Sequence, residues 1–455
     1  MTNVLTPHHH TNVALIGCGP HAKRIYVGYF SSHGLQPALI VDIASEKSKI
    51  EKLVSDLGWE TTECYYVNPS DIYSAHDGDE RSELSEILKN SGITKAIIST
   101  PPEVHVPYAE LCLELGIKVL VDKPLSAPSN VSVGNHSELL DDFKKLSAYD
   151  TGDNIVVQCQ RRRHDGYRYV KSLIDDMKKT YGVEPHFIDI YHSDGRWDFP
   201  DEIAKLKNHP YDTGYGKLLH SGYHFVDLLA FLTASSDYQT YDVFAYRNSI
   251  HDFKHQLPDE FYKKHFDLTN EKTFPDAGFG EIDSYSMIQL KKDGRVATTA
   301  SLNLLHTGFS RRAWGNAKED LYKGNGRLRH ERVNIQIGPL MNIQIHSYQS
   351  SETHNDDSGK HPNEWAGLEH FDIHIFRNKD LIGGKPYELL TIDDIQSPDV
   401  TVGQNENARY QLVKDFLNDV PSGSALSSHL RTNILLAAIC ESTHTEERVK
   451  GAMSL

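Results

Sequence analysis

The sequence predicts an α/β protein, with a doubly wound parallel sheet in its first third and an α+β region built on a large, open, predominantly antiparallel sheet after it. Three observations carry this expectation. Short apolar runs alternate with helical repeats through residues 12–122. A glycine-rich turn joins the first run to the first helix. From Asn154 onward the runs lengthen and alternate apolar with polar residues, which gives each strand one buried and one wettable face.

The first run, NVALI at residues 12–16, breaks at Gly17 and leads into HAKRIYVGYF, where Ala22, Ile25, Tyr26, Tyr29 and Phe30 recur at helical spacing. PALIVD, residues 37–42, is the second strand. SEKSKIEKLVSDLG then reads as a helix capped by Ser45, striped by Ile50, Leu53, Val54 and Leu57, and stopped at Gly58. Residues 61–90 are polar and irregular, with a short helix expected around Ser82 to Asn90. AIIS (96–99) is a buried strand, Val104, Tyr108, Leu111, Cys112 and Leu115 mark a helix closed by Gly116, and IKVLVD (117–122) is the next strand. Ligands of such a sheet sit at the carboxyl ends of its strands.

NIVVQCQ, PHFIDIYHS, YSMIQL, VATTASLNL and VNIQIG supply the strands expected of the second sheet. Residues 247–281 and 347–368 read as loop-like insertions, and ARYQLVKDFLNDV and HLRTNILLAAICEST as closing helices. Two domains are expected: residues 1–150 binding a dinucleotide, and residues 151–455 forming a substrate-binding and oligomerisation domain.

Composition removes several function classes. Lysine plus arginine total 47 against 63 aspartate plus glutamate, a net charge of −16, and no polybasic block stands out, which argues against nucleic acid and anionic membranes. The five cysteines, Cys18, Cys64, Cys112, Cys159 and Cys440, never take CxxC spacing, so a disulfide framework or zinc cluster is not expected and a reducing cytoplasm is. No basic, apolar leader opens the sequence and no run approaches the roughly eighteen apolar residues of a membrane span. A soluble protein is the expectation. His8, His9 and His10 read as a loose terminal tract, not a metal site.

GCGPHA, residues 17–22, matches GxGxxA at a strand-to-helix turn, where backbone N–H groups and the helix dipole hold a pyrophosphate. Gly17 permits the tight turn, Gly19 lets the phosphate approach and Ala22 lets the helix lie against the strand; Cys18, Pro20 and His21 complete the turn. Asp42 ends the next strand, where a carboxylate binds the ribose diol and repels a 2′-phosphate. That favours NAD. Ser45 and Lys47 nearby keep NADP open.

LLHSGYHFVDLL, residues 218–229, sets a polar stripe of His220, His224 and Asp227 in an apolar stretch. At about 100° per residue these positions span roughly 60° of a helix and share a face. Gly222 between the histidines costs a helix about 1 kcal/mol against alanine, which is expected where a cofactor or another backbone comes close. HxxxH here lacks the glutamate of the zinc peptidases and a third ligand, so no metal is expected. Oxidation of a secondary alcohol needs a base for the hydroxyl proton and a cation for the developing alkoxide. A histidine suits the first task and a lysine the second.

STPPEVH (99–105), VLVDKPL (119–125) and GKLLHSGYHFVD (216–227), in that order, resemble the signature series of the Gfo/Idh/MocA oxidoreductases, two-domain enzymes acting on sugars, inositols and related polyols. QCQRRRHDGY (158–167) stands where that family has an arginine-aromatic pair. The resemblance implies a Rossmann domain with cofactor contacts at Ser99, Thr100, Pro101, His105 and Asp122. The family's glutamate-lysine-proline motif falls on Asp122, Lys123 and Pro124, which implies a lysine beside the nicotinamide at Lys123 and a cis bond before Pro124. Its aspartate, glycine, histidine and second aspartate fall on His220, Gly222, His224 and Asp227, so histidine at 220 is a departure.

The expected function is hydride transfer between NAD(P) and a CH–OH group of a sugar, cyclitol or sugar derivative, in a homo-oligomer. His224 is the acid/base, Lys123 stabilises the alkoxide, His220 is a substrate or relay contact, and Asp227 fixes the tautomer of His224. Two other readings stay open: a redox-neutral enzyme that oxidises transiently for elimination or hydrolysis, and a non-catalytic nucleotide- or sugar-binding regulator. Weaker substrate candidates are Arg163, Trp197, Asp227 and Arg311, with Arg312, Trp314 and Tyr285 beside them. Arg161 and Arg162 read as a surface charge run.

Overall fold

Six short apolar runs pair side by side to make the first sheet. In a computed structural model of the chain, which describes residues 9–68, 79–131, 134–203, 211, 214–254, 256–267, 279–315, 326–350, 369–397, 400 and 402–455, they are β1 (Val13–Ile16), β2 (Leu39–Ile43), β3 (Glu63–Val67), β4 (Lys95–Ile98), β5 (Lys118–Asp122) and β6 (Ile155–Gln158). Every neighbouring pair is parallel and the order is β3-β2-β1-β4-β5-β6. That order reverses between β1 and β4, which is the switch point where doubly wound sheets bind ligands. Leu15, Ile40, Ile97 and Leu120 form the core of this sheet, covered by Tyr26, Phe30, Ile50 and Trp59 and by Leu412, Val413 and Phe416.

The chain divides into two units. The first comprises Met1–Ala127, Asp141–Arg163 and Asn405–Leu430; the second comprises Pro128–Leu140, His164–Gln404 and Arg431–Leu455.

Among its described residues the second unit holds nine strands: β7 (Phe187–Arg196), β8 (Thr240–Asn248), β9 (Asp283–Lys292), β10 (Arg295–Thr307), β11 (Leu328–Ile337), β12 (Met341–Ser350), β13 (Glu369–Arg377), β14 (Tyr387–Thr391) and β15 (Val449–Ala452). Their order is β14-β13-β12-β11-β7-β10-β9-β8-β15, antiparallel throughout except for the parallel pair β7 and β10. Register follows from the apolar alternation, because a one-residue slip would turn the isoleucines to water. Ile335 lies opposite Ile188 and Ile343, and Ile343 opposite Ile375, all four fully buried. Each such side chain contributes roughly 1.5–3 kcal/mol by leaving water.

Several expectations need correction. Ile155–Gln158 pairs in parallel with β5 and belongs to the first sheet, since all four residues are buried as in a strand covered on both faces. A strand, β3, lies in the stretch expected to be irregular, and the helix there begins at Asp79. Ser45 is not a cap: it sits in a short 3-10 turn, Ala44–Glu46, and the α-helix Lys47–Asp56 follows Glu46 with no side-chain cap. The turn already satisfies the first N–H of that helix, with Lys47 donating to Ala44 O.

His9 and His10 are held, not loose, pairing in parallel with Leu35 and Gln36 while the His9 N–H donates to Gly34 O at 2.8 Å. Within 247–281 two helices form, Ile250–Lys254 and Asp259–Phe266, because Ile250 and Phe253 find a core with Ile203, Tyr211 and Ile282. His8 and most of 347–368 lie outside the described residues. Gln404–Leu417 and Leu430–Thr445 are the two closing helices.

Candidate functional site

The glycine turn ends β1. Gly17 holds φ +86° while its N–H donates to Val41 O at 2.8 Å, and a Cβ there would lie 2.6 Å from the Ser99 carbonyl oxygen. Only glycine fits. Gly19 caps the following helix with Pro20 at the first helical position, and the space a Cβ would enter at Gly19 is open for 4 Å. An open cradle at the amino end of a helix that runs, through a π-helical stretch Lys23–Val27, to Ser32 fits a pyrophosphate. Ala22 is fully buried. The Cys18 thiol, pushed up to about 12 by burial, stays protonated and is no nucleophile.

Asp42, in β2 beside this turn, accepts the Cys18 N–H at 2.7 Å on Oδ2 and the Ile43 N–H at 2.7 Å on Oδ1. Burial pushes its carboxyl above the usual range, against the pull of those two N–H groups. The open turn and the carboxylate one strand away suit the two ends of an adenosine diphosphate moiety.

The ends of β4 and β5 carry the next group. Asp122 accepts hydrogen bonds from the Tyr26 and Ser99 hydroxyls, one on each oxygen, and His21 Nε2 lies 3.6 Å from Oδ1. Burial would raise this carboxyl, but the His21 ring beside it and the Ser99 and Tyr26 hydrogen bonds outweigh it and hold it at about 2. Lys123 is half-buried and joins Pro124 through a cis bond. His105 is buried, with Nδ1 2.9 Å from Pro124 O and Nε2 3.0 Å from Thr100 O, so it fastens the loop after β4 to the turn after β5. Pro101 precedes the 3-10 turn Pro102–Val104 that leads into the α-helix His105–Glu114.

In the second unit, His220 and His224 are both buried on one continuous helical stretch. That stretch starts as a π-helix, Leu218–Gly222, before the α-helix Tyr223–Leu232. The arc expected from α-helical spacing therefore holds for His224 and Asp227 but not for His220, which sits in a wider turn. Gly222 permits that turn: a Cβ there would be 2.9 Å from both Lys217 O and Leu304 Cδ1. The close neighbour at Gly222 is thus protein. Asp227 is fully buried and accepts the Thr432 hydroxyl at 2.8 Å.

Beneath this helix lies a buried charge cluster that the sequence did not announce. Lys217 Nζ donates to Asp194 Oδ2 at 2.5 Å, and Arg327 Nη2 donates to Asp194 Oδ1 at 2.9 Å. Asp194 lies where the alternation of β7 ends, with His192 to Arg196 buried without a break. The available signal was a lysine three residues before His220 in an apolar stretch.

The weaker candidates have protein partners. Arg163 pairs with Asp415, Nε to Oδ2 at 2.5 Å. Arg161 and Arg162 are buried, not a surface run, and Arg162 binds Ser428 through Oγ at 2.8 Å. Trp197 packs edge-on to Phe199 and Phe266, at centroid distances of 5.5 and 5.3 Å. Arg312 forms a bidentate pair with Glu202 at 2.5 and 2.8 Å, and its Nε donates to Trp314 O. The Arg311 N–H donates to Gly326 O at 2.9 Å, and the Tyr285 hydroxyl reaches Asp283 at 3.4 Å. Among the described residues no three His, Cys, Asp or Glu side chains group as metal ligands would.

Comparison with known proteins agrees with this geometry. Residues 11–149 match the oxidoreductase family with the NAD-binding Rossmann fold, GFO_IDH_MocA. The uncharacterized oxidoreductase YhhX of Escherichia coli (strain K12) is 27% identical over 172 residues, 37% of this chain and 43% of that protein. The aldose-aldose oxidoreductase of Caulobacter crescentus, solved with glycerol, is similar over 98% of this chain and 100% of its own, with a TM-score of 0.58 and 13% identity. The WlbA dehydrogenase of Bordetella pertussis, solved with NADH and UDP-GlcNAcA, is similar over 97% of this chain and 98% of its own, with a TM-score of 0.57 and 13% identity. At such identity the structural likenesses are of fold. The match to that family covers residues 11–149, and the chain carries the two-sheet fold of these two solved neighbours.

Proposed function

We propose that the chain is an NAD-dependent oxidoreductase acting on a CH–OH group of a sugar, cyclitol or sugar derivative. The observation that carries this reading is Lys123, directly after the last residue of β5 at the carboxyl end of an NAD-binding Rossmann sheet. Bound NAD supplies the hydride acceptor, or in its reduced form the donor. His224 takes the hydroxyl proton as the carbinol C–H leaves as hydride, and Lys123 stabilises the alkoxide oxygen. His220 contacts or relays to the substrate, which departs from the aspartate the family has there.

The substrate class draws support from glycerol and UDP-GlcNAcA in the two solved neighbours. A homo-oligomer, dimer or tetramer, belongs to the same proposal, supported by Tyr246, Met287, Phe376 and Tyr387 exposed on the nine-stranded sheet. A cytoplasmic setting is supported by five cysteines that are all free thiols.

The test is a panel of sugars, cyclitols and nucleotide sugars with NAD and with NADP, following the absorbance of the reduced nicotinamide together with product analysis. Turnover with net cofactor reduction is expected. Product without net reduction would replace this reading by the redox-neutral one, and binding without product by the regulator.

A further inference from the structure

Lys217 is fully buried, and its Nζ reaches two residues of β7: Asp194 Oδ2 at 2.5 Å and His192 Nδ1 at 3.1 Å. Ser221, one helical turn on, donates to the same Asp194 oxygen at 3.1 Å. One carboxylate therefore holds two residues on either side of His220. An ion pair this deep adds little stability, since apolar residues of the same volume commonly do as well or better.

We propose that Lys217 is a positioning residue for His220: through Asp194 and Ser221 it fixes the turn that carries the imidazole, and its charge sets the field in which that imidazole takes up or releases a proton. This rests on the oxidoreductase reading, in which His220 contacts or relays to the substrate. Asp194 and His192 from β7 meet the Lys217 ammonium, Arg327 just before β11 and Asp283 from β9 act on it through their charges, His220 acts on the shared Asp194, and the Glu281 carboxylate accepts the neighbouring Leu218 N–H at 2.6 Å. Burial works against the Asp194 charge, but Lys217, His192, Arg327 and His220 outweigh it and keep the carboxyl far below its usual range.

Burial likewise brings Lys217 down to about 8, with Asp194 opposing the fall and Arg327 adding to it. Asp194 stays ionised at neutral pH while Lys217 changes charge just above it. When Lys217 loses its proton, a positive charge leaves the neighbourhood of His220 and a proton there becomes easier to hold.

The test is histidine-labelled protein followed by NMR from pH 5 to 9.5, with His220 identified by the signals lost in His220→Gln. In the wild type the His220 ring signals are expected to show a second inflection near pH 8. It is expected to vanish in Lys217→Met, which leaves Asp194 with Arg327 and Ser221, and in Lys217→Arg, whose guanidinium stays charged throughout. The double variant Lys217→Met/Asp194→Asn removes both charges together and serves if the single changes fail to fold.

The alkaline limb of the kcat–pH profile is expected to move with the inflection, while NAD binding stays within about twofold. A wild type without the inflection, or an inflection that persists in the folded variants, overturns the proposal whatever the turnover. An inflection lost as stated in a protein that turns over no substrate of the panel overturns the oxidoreductase reading and leaves the coupling of Lys217 to His220 standing.

Discussion

The Cys18 N–H donates to Asp42 Oδ2 at 2.7 Å, so the carboxylate of the second strand is fastened to the glycine turn that ends the first. This places one acid beside the phosphate cradle, where a ribose diol is its natural partner and a 2′-phosphate is repelled. Asp42→Ala is expected to weaken NAD about tenfold to a hundredfold, the range of a hydrogen bond to a charged group at ~1.5–3 kcal/mol, and to narrow the gap between NAD and NADP. Titration of both cofactors by nicotinamide fluorescence checks it. An unchanged NAD affinity would remove Asp42 from the ribose site.

Asp122 gives a pH signature. Its carboxyl is held at about 2 against an ordinary 3.8, so it contributes stability that is present above pH 4 and is lost as pH falls through about 2. The linkage amounts to about 2 kcal/mol at about 1.4 kcal/mol per pH unit. Asp122→Asn is expected to lower the urea midpoint at pH 6, and the difference from wild type is expected to shrink on approach to pH 2. A gap that stays constant across that range would contradict this account of the carboxyl.

Two glycines separate folding from binding. A methyl at Gly19 meets nothing within 4 Å and its backbone is extended, so Gly19→Ala is expected to keep the wild-type Tm and lose NAD affinity by tenfold or more, on the order of 1.4 kcal/mol. A methyl at Gly222 meets Lys217 O and Leu304, so Gly222→Ala is expected to cost about 1–3 kcal/mol of stability. Calorimetry beside cofactor titration reads both, and a Gly19→Ala protein that binds NAD normally would contradict the pyrophosphate cradle.

Much of the first unit was legible because its signals are local. GCGPHA and the acid at 42 sit in one strand-turn-helix-strand unit, and the chain spacing alone orders them. What stayed hidden depends on residues far apart in sequence. Ile155–Gln158 looked like the start of the second sheet because nothing within NIVVQCQ tells which sheet covers it. Arg162 looks exposed in the sequence because its partner segment, around Ser428, lies more than 260 residues away. Asp194 and Lys217 are 23 apart and look like ordinary surface charges until β7 and the helix pack together. The π-helical turn at 218–222 is not legible in the sequence because a glycine there reads as a cost to an α-helix as readily as a residue that permits a wider turn.

The central claim is that a lysine at the end of the Rossmann sheet and a histidine of the later helix serve one hydride transfer. The most direct measurement compares wild type, Lys123→Ala and His224→Ala for NAD binding and for turnover of whichever substrate the panel selects. Both variants are expected to bind NAD within a few-fold of wild type and to lose 10²-fold or more in kcat, on the order of the contribution of a positioned acid/base. Full turnover in either variant would contradict the account.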